Sequence, residues 1–442
     1  MTQDHDQPQL PSRFLMPCRF LTGSMRCLAM LAAIFIIVPF APPLHAQTTP
    51  AMEKWNGIPT SKWISATEQA GIDEDILLHH FGDIPVDPGP KANLSPALDR
   101  AAVDAAVRKV ADWELKRAEP YMNPHWTWAV LGTGLMAASR ELNDRKYRDA
   151  MERMGGKFHW GLGEEDRVGR GWPDNDDQAI GQTYLELYLL DPKPEKIAIL
   201  RNGIDALIGK PQPAPDPDEF QQLWWWCDSL FMGPPMWARM YAATHDPKYL
   251  AYFDPYWWEV YDKMYSPSYH LFYRDKIYEG VMNPAGKPIF WSRGNGWVMG
   301  GIARTLEYMP KDFHDRARYE TVLREMAKEM ASLQDPANGV WHSDLLDPAD
   351  YPQPELSGST LITFALAWGI NNGVLDRATY TPVVEKAWRG MVHEIYADGR
   401  IGNMQQTDEA PMHYLPQSSY NFGVGGFLLA GEEVAKLSTH HD

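Results

Sequence analysis

The chain has 442 residues, of which 44% are hydrophobic and 12% aromatic, and its formal net charge is −17 at pH 7. That apolar and aromatic content can fill a large buried core, which excludes a disordered or fibrous chain. The acidic balance argues against nucleic acid as a partner, so an acidic ligand must be captured by locally placed Arg or by stacking.

In chain order, the first feature is an apolar stretch from Cys27 to Phe40, preceded by Arg13, Arg19 and Arg26 and followed by Ala-Pro-Pro-Leu-His-Ala. It is short for a membrane span, is broken by Pro39, and leads to Ala46, a small residue suited to cleavage before Gln47. The pattern predicts a signal peptide over residues 1–46 and a periplasmic or secreted protein with no stable membrane span after cleavage. Cys18 and Cys27 lie in that leader, which leaves Cys227 alone. No internal disulfide is then available, and core volume must hold the fold.

An approach segment over residues 47–94 is followed by twelve helical segments with no convincing run of strands. The odd segments start near Ala97, Lys146, Lys193, Pro247, Ala317 and Thr379, and several are amphipathic, with one apolar and one charged face. The even segments start near Trp126, Asp177, Ser229, Asn295, Thr360 and Phe422 and are apolar or small around most of their circumference. A helix apolar all round belongs inside. Six alternations predict an all-α chain, a six-hairpin toroid or (α/α)6 barrel, as one domain over residues 95–442. The repeat is one of pattern, not of sequence.

Each inner helix is preceded or opened by a polar and aromatic cluster: Asn123-Pro-His-Trp-Thr-Trp, Asp174-Asn-Asp-Asp-Gln, Trp224-Trp-Trp-Cys-Asp-Ser, Trp291-Ser-Arg-Gly-Asn-Gly-Trp, Glu355-Leu-Ser-Gly-Ser and Gln417-Ser-Ser-Tyr-Asn. Parallel inner helices would bring all six to one mouth. Apolar ring faces for pyranose stacking beside fixed hydrogen-bonding groups are what a sugar site requires.

Within these clusters, Asp228 stands between bulky apolar side chains at a helix start. Burial against aromatics raises a carboxyl pKa and keeps it protonated, as a general acid needs, whereas a plain helix N-cap is the alternative. Asp176 and Asp177 form a second acidic site; a dipole or cap partner describes Asp176, and Asp177 is the better catalytic candidate. Arg293, read as lying in a Gly-flanked turn, could hold a sugar carboxylate by a bidentate pair, with Gly294 and Gly296 admitting the ligand to the backbone; a structural Arg bonding exposed carbonyls is the alternative. His125, Trp126 and Trp128 serve equally well as ligand contacts or as core. The chain lacks His-Glu-x-x-His, paired Cys, a phosphate-cradling Gly-x-x-x-x-Gly-Lys and a Gly-x-Ser-x-Gly elbow, so neither metal nor cofactor is expected. The acidic stretch Asp216, Asp218 and Glu219 reads as a solvated loop.

With these residues in view, the chain resembles the unsaturated glucuronyl and rhamnogalacturonyl hydrolases, glycoside hydrolase families 88 and 105, over about residues 95–437. The resemblance rests on Trp-Ser-Arg-Gly-Asn-Gly-Trp-Val-Met-Gly, supported by Asp-Asp-Gln-Ala-Ile-Gly, Asp-Ser-Leu-Phe-Met-Gly and Glu-Leu-Ser-Gly-Ser. It implies an (α/α)6 barrel acting on an oligosaccharide with a terminal 4,5-unsaturated uronic acid, by hydration of a vinyl ether. A carboxylic acid protonates carbon 4, water adds at carbon 5, and the hemiketal opens to expel the aglycone. It also implies Asp228 as the acid that activates the water and Asp177 as the second carboxylate. Arg293 and Trp297 match the family's substrate-contacting positions, and the residues themselves add Asn295, Trp226, His125, Trp126 and Asp176 as candidate substrate contacts. The chain departs from the family's pattern at Leu271-Phe-Tyr-Arg274-Asp275, where a His often stands, so Arg274 becomes a candidate for recognising a carboxylate or sulfate. The residues alone also leave open an inverting glycosidase acting on a saturated sugar, and a non-catalytic periplasmic glycan-binding protein.

Overall fold

The computed structural model describes residues 81–162, 175–208, 224–408 and 410–438. The leader and the Asp216–Glu219 loop lie outside the described residues. Six hairpins follow one another: α1 (Arg100–Ala118) with α2 (Trp126–Glu141); α3 (Arg145–Lys157) with α4 (Asn175–Ala179) and α5 (Gly181–Leu190); α6 (Ala198–Leu207) with α7 (Ser229–Met232) and α8 (Pro234–Thr244). The remaining three are α9 (Lys248–Met264) with α10 (Ser292–Leu306), α11 (Arg316–Leu333) with α12 (Leu356–Asn371), and α13 (Arg377–His393) with α14 (Asn421–Ser438).

All twelve expected segments are present, and the second and third inner ones are each split in two. The third divides at Gly233, ahead of Pro234 and Pro235, because proline has no N–H to continue the helical ladder. Outer helices bury one stripe: α1 hides Val103, Ala106, Val107, Val110 and Ala111 at helical spacing. Inner helices are buried nearly all round; every residue of α10 is buried, and so is every residue of α12 before Asn371. The core therefore lies between and around the inner helices.

The inner helices run parallel, so like ends meet. At their N-terminal ends, Ser292 Oγ donates to Glu355 Oε2 (3.2 Å) and Asn421 Nδ2 to Thr127 Oγ1 (3.4 Å). Toward their C-terminal ends, Arg140 pairs with Glu186 and Glu432, and Arg304 with Glu186. Close approach is possible where side chains are missing: a Cβ on Gly134 would lie 2.5 Å from the Gly425 carbonyl oxygen of α14. Two short strand pairs decorate the barrel. β1 (Gly82–Asp83) pairs antiparallel with β4 (Ser419–Tyr420), and β2 (Tyr265–Ser266) with β3 (Leu271–Phe272).

Candidate active site

The third inner helix is entered through a segment that the following hairpin holds in place. Cys227 N–H donates to the Arg274 carbonyl (2.7 Å), and Trp226 and Asp275 form a β-bridge. Asp228 then opens α7 with helical dihedrals and makes no side-chain cap bond, which removes the N-cap alternative for it. Its Oδ1 accepts a hydrogen bond from the Cys227 thiol at 3.2 Å. The half-buried Asp228 carboxyl has its pKa raised above the ordinary carboxylate value by burial; Arg274, the thiol and Arg293 oppose the shift and Asp275 adds to it. A raised carboxyl pKa is the direction that a general acid needs.

Helix α4 packs against α7, which brings Asp176 and Asp177 to the same rim as Asp228. Gln182 Nε2 donates to the Phe231 carbonyl and Trp237 Nε1 to Gln178 Oε1, both at 2.8 Å, and these bonds lock the second inner helix to the third. Asp177 is buried. Asp176 is half-buried in the first turn, where its charge meets the positive end of the helix dipole, and its Oδ1 accepts from Asn175 Nδ2 at 2.8 Å.

Aromatic rings surround the carboxylates. Trp126, half-buried at the start of α2, stands edge-on to Trp297 (6.3 Å between centroids) and tilts against Phe422 (5.6 Å). Trp225 and Trp226 pack edge-on at 4.6 Å, and the Arg274 guanidinium lies 5.3 and 5.6 Å from their centroids. Arg274 Nη1 donates to Asp275 Oδ2 at 2.6 Å. His125 caps α2, its Nδ1 accepting from Thr127 N–H at 3.4 Å.

Three expected substrate contacts are engaged with protein in the structure. Arg293 sits inside the first turn of α10, not in a turn before it. Its Nη1 donates to Ser357 Oγ and the Gln405 carbonyl, its Nη2 to the carbonyls of Gln406 and Asp408, and it is 1% exposed. The forked face that would grip a carboxylate is thus occupied by the 405–408 segment, as in the structural alternative. Burial lowers its pKa to about 10, which leaves it cationic at neutral pH. Asn295 is spent on backbone: Oδ1 accepts from Phe272 N–H and Nδ2 donates to the Phe272 and Trp291 carbonyls, so it clamps β3 to α10. Trp297 is 1% exposed and packs under Trp126 and Phe231 as core. Gly294 and Gly296 admit protein, not ligand: a Cβ on Gly294 would lie 3.0 Å from Cys227 Sγ, and one on Gly296 2.9 Å from the Gly358 carbonyl oxygen.

Three residues that matter to this geometry were passed over. Cys227 read only as an unpaired thiol, although its place beside Asp228 was the signal. Asp275 read only as the neighbour of Arg274. Glu355, fully buried, accepts from Ser357 N–H, Gly358 N–H, Ser292 Oγ and Gln405 N–H, tying two inner helices to the loop that Arg293 grips. Among the described residues, one close group of metal-ligating types is Asp254, His314 and Asp315, set on the outer layer. Asp254 already accepts from Tyr319 and Trp258, and Asp315 is paired with Arg318. No helix of the described residues is long and apolar enough to cross a membrane.

Comparison with known proteins places this geometry in a family. The model of Glycosyl Hydrolase Family 88 matches residues 100–438. An unsaturated 3S-rhamnoglycuronyl hydrolase of Formosa agariphila is 35% identical over 361 residues, which cover 77% of this chain and 92% of that protein. A solved family 88 glycosyl hydrolase from Bacteroides vulgatus is 31% identical with a TM-score of 0.70, covering 76% of this chain and 98% of its own. A solved protein described as a polysaccharide lyase has the same identity and TM-score, covering 78% of this chain and 99% of its own. Matched over most of its length by the family and by a curated relative, and folded as a barrel of helical hairpins, the chain belongs to glycosyl hydrolase family 88.

Proposed function

We propose that the chain removes a 4,5-unsaturated uronic acid from the non-reducing end of oligosaccharides left by polysaccharide lyases, by hydrating the vinyl ether. The observation that carries this reading is the place of the Asp228 carboxyl, half-buried at the rim where the inner helices begin and with its pKa raised by burial. Its O–H bond breaks as a C–H bond forms at carbon 4. Water adds its oxygen to carbon 5 and returns a proton to Asp228, and the hemiketal then opens to release the aglycone alcohol. Asp177, on the packed neighbour α4, serves as the second carboxylate that orients the sugar. Trp126, Trp225 and Trp226 are the half-buried rings available for stacking. The leader over residues 1–46 supports export to the periplasm or beyond as part of the same proposal.

The conjugated double bond absorbs in the ultraviolet, so incubation with unsaturated disaccharides should abolish that absorbance. Absorbance left intact across pectin, ulvan and glycosaminoglycan lyase products would overturn the substrate. Asp228→Asn should lower turnover by about 10²–10⁴-fold, the usual worth of a general acid; undiminished activity would overturn the assigned acid. The same assay separates this reading from eliminative cleavage, because a lyase creates the absorbance that this enzyme removes. A carboxyl whose pKa is raised favours the hydrolase, since elimination begins with a base.

A further inference from the structure

We propose that the Cys227 thiol is a positioning residue that occupies Oδ1 of Asp228 and thereby fixes Oδ2 as the oxygen carrying the reacting proton. The inference rests on Asp228 being the acid, and extends that reading to the atom.

A neutral carboxyl has one carbonyl-like oxygen that accepts and one hydroxyl that donates, and either can carry the proton unless a neighbour distinguishes them. The thiol makes that distinction. Sγ lies 3.2 Å from Oδ1, and Cys227 is completely buried. Burial raises the thiol pKa well above its ordinary value, so the sulfur keeps its proton and acts as a donor. An oxygen that accepts S–H is the carbonyl-like one, and the acidic proton resides on the other.

The surroundings hold this arrangement. The Cys227 backbone is pinned by its N–H bond to the Arg274 carbonyl and by the Trp226–Asp275 bridge. Asp228 spends neither oxygen on capping its own helix. On the opposite side, the missing side chain of Gly294 makes room for the sulfur: a Cβ there would stand 3.0 Å from Sγ and 3.7 Å from Oδ1. The charged groups that face Asp228 are Arg274 and Asp275 from the hairpin segment and Arg293 from α10, while α4 brings Asp176 and Asp177 to the same rim. When Oδ2 gives up its proton to carbon 4, the new carboxylate keeps the thiol bond on Oδ1 and faces Arg274.

The test is a pair of variants. The thiol bond stabilises the ionised acid, so Cys227→Ala should lower kcat and move the alkaline limb of the kcat/KM profile upward by about half to one pH unit. Cys227→Ser keeps a donor of similar reach, and should restore kcat with the limb at or below its native position. An unmoved limb in Cys227→Ala, or an upward shift of equal size in Cys227→Ser, would overturn the proposal. If Cys227→Ala fails to fold, the direction of the shift in Cys227→Ser decides alone. A second measurement needs no turnover: with Cys18 and Cys27 replaced by Ser, the infrared S–H band reports Cys227 only. It should move to higher frequency in Asp228→Ala, and a stationary band would sink the contact. Full activity in Asp228→Asn would defeat the acid assignment instead, and leave the band result standing by itself.

Discussion

At the residue scale, the proton on Asp228 is governed by opposed neighbours. Burial and Asp275 favour the neutral acid, whereas Arg274, Cys227 and Arg293 favour the carboxylate. Arg274 is itself tethered, through its bond to Asp275 and its place over Trp225 and Trp226, so its charge cannot swing away from the acid. Replacing it by Met keeps the stacking length and removes the cation. Asp228 should then hold its proton to higher pH, and the alkaline limb of kcat/KM should rise by about one unit, the low end of the effect of a nearby opposite charge because Asp275 already shields it. Asp275→Asn should move the limb the other way. Profiles that shift together, or not at all, would show that these charges do not reach the acid.

At the scale of elements, the position of Asp228 depends on how closely α10 approaches α7. A Cβ on Gly301 would fall 2.1 Å from the Leu230 carbonyl oxygen and 2.6 Å from its carbon, and neither backbone atom can rotate away. Gly301→Ala should therefore push the helices apart, destabilise the fold by about 1–3 kcal/mol or more in chemical denaturation, and reduce activity because Leu230 lies two residues from the acid. Gly156→Ala is the contrast: the site is exposed, helical and has nothing within 4 Å, so stability should hold or rise by about 0.5–1 kcal/mol. The order of hairpins was legible in the sequence because inner helices are apolar all round and outer ones on one stripe, a difference that burial alone imposes. Asp228 was singled out by its three preceding Trp, and the structure places it half-buried at the rim beside Cys227. The fates of Arg293 and Asn295 were not, because a polar residue at a helix start does not reveal where its side chain ends. Arg293 reaches carbonyls more than a hundred positions away, at Gln405 and Gln406, and Asn295 reaches back to Phe272. Trp297 belonged to a motif of site residues, yet its ring faces inward against Trp126 and Phe231.

Across the whole molecule, parallel inner helices divide the barrel into two unlike rims. Their N-terminal ends gather the carboxylates and rings of the candidate site. Their C-terminal ends gather the negative poles of the helix dipoles, and this rim carries Arg140 and Arg304 in last turns, with Arg239 beside them. Glu186 joins the three: it accepts from Arg140 Nη1 at 2.7 Å, Arg239 Nε at 3.0 Å and Arg304 Nη2 at 2.9 Å. Burial alone would raise its pKa, yet the three guanidiniums overcome that and hold it below the ordinary carboxylate range. A carboxylate whose folded pKa is depressed adds stability above the unfolded value of about 4.3, and that stability is lost as pH falls through the folded value. Glu186→Gln leaves buried guanidiniums without their counter-ion and should cost about 3–5 kcal/mol at neutral pH. Measured by denaturant unfolding, the gap between the two proteins should stay constant from pH 8 to about 5 and narrow below about pH 4, as Glu186 of the unfolded chain takes up its proton while the folded one stays ionised. A gap that is absent at pH 7, or that persists unchanged into acid, would mean that the charge of Glu186 does not close this rim.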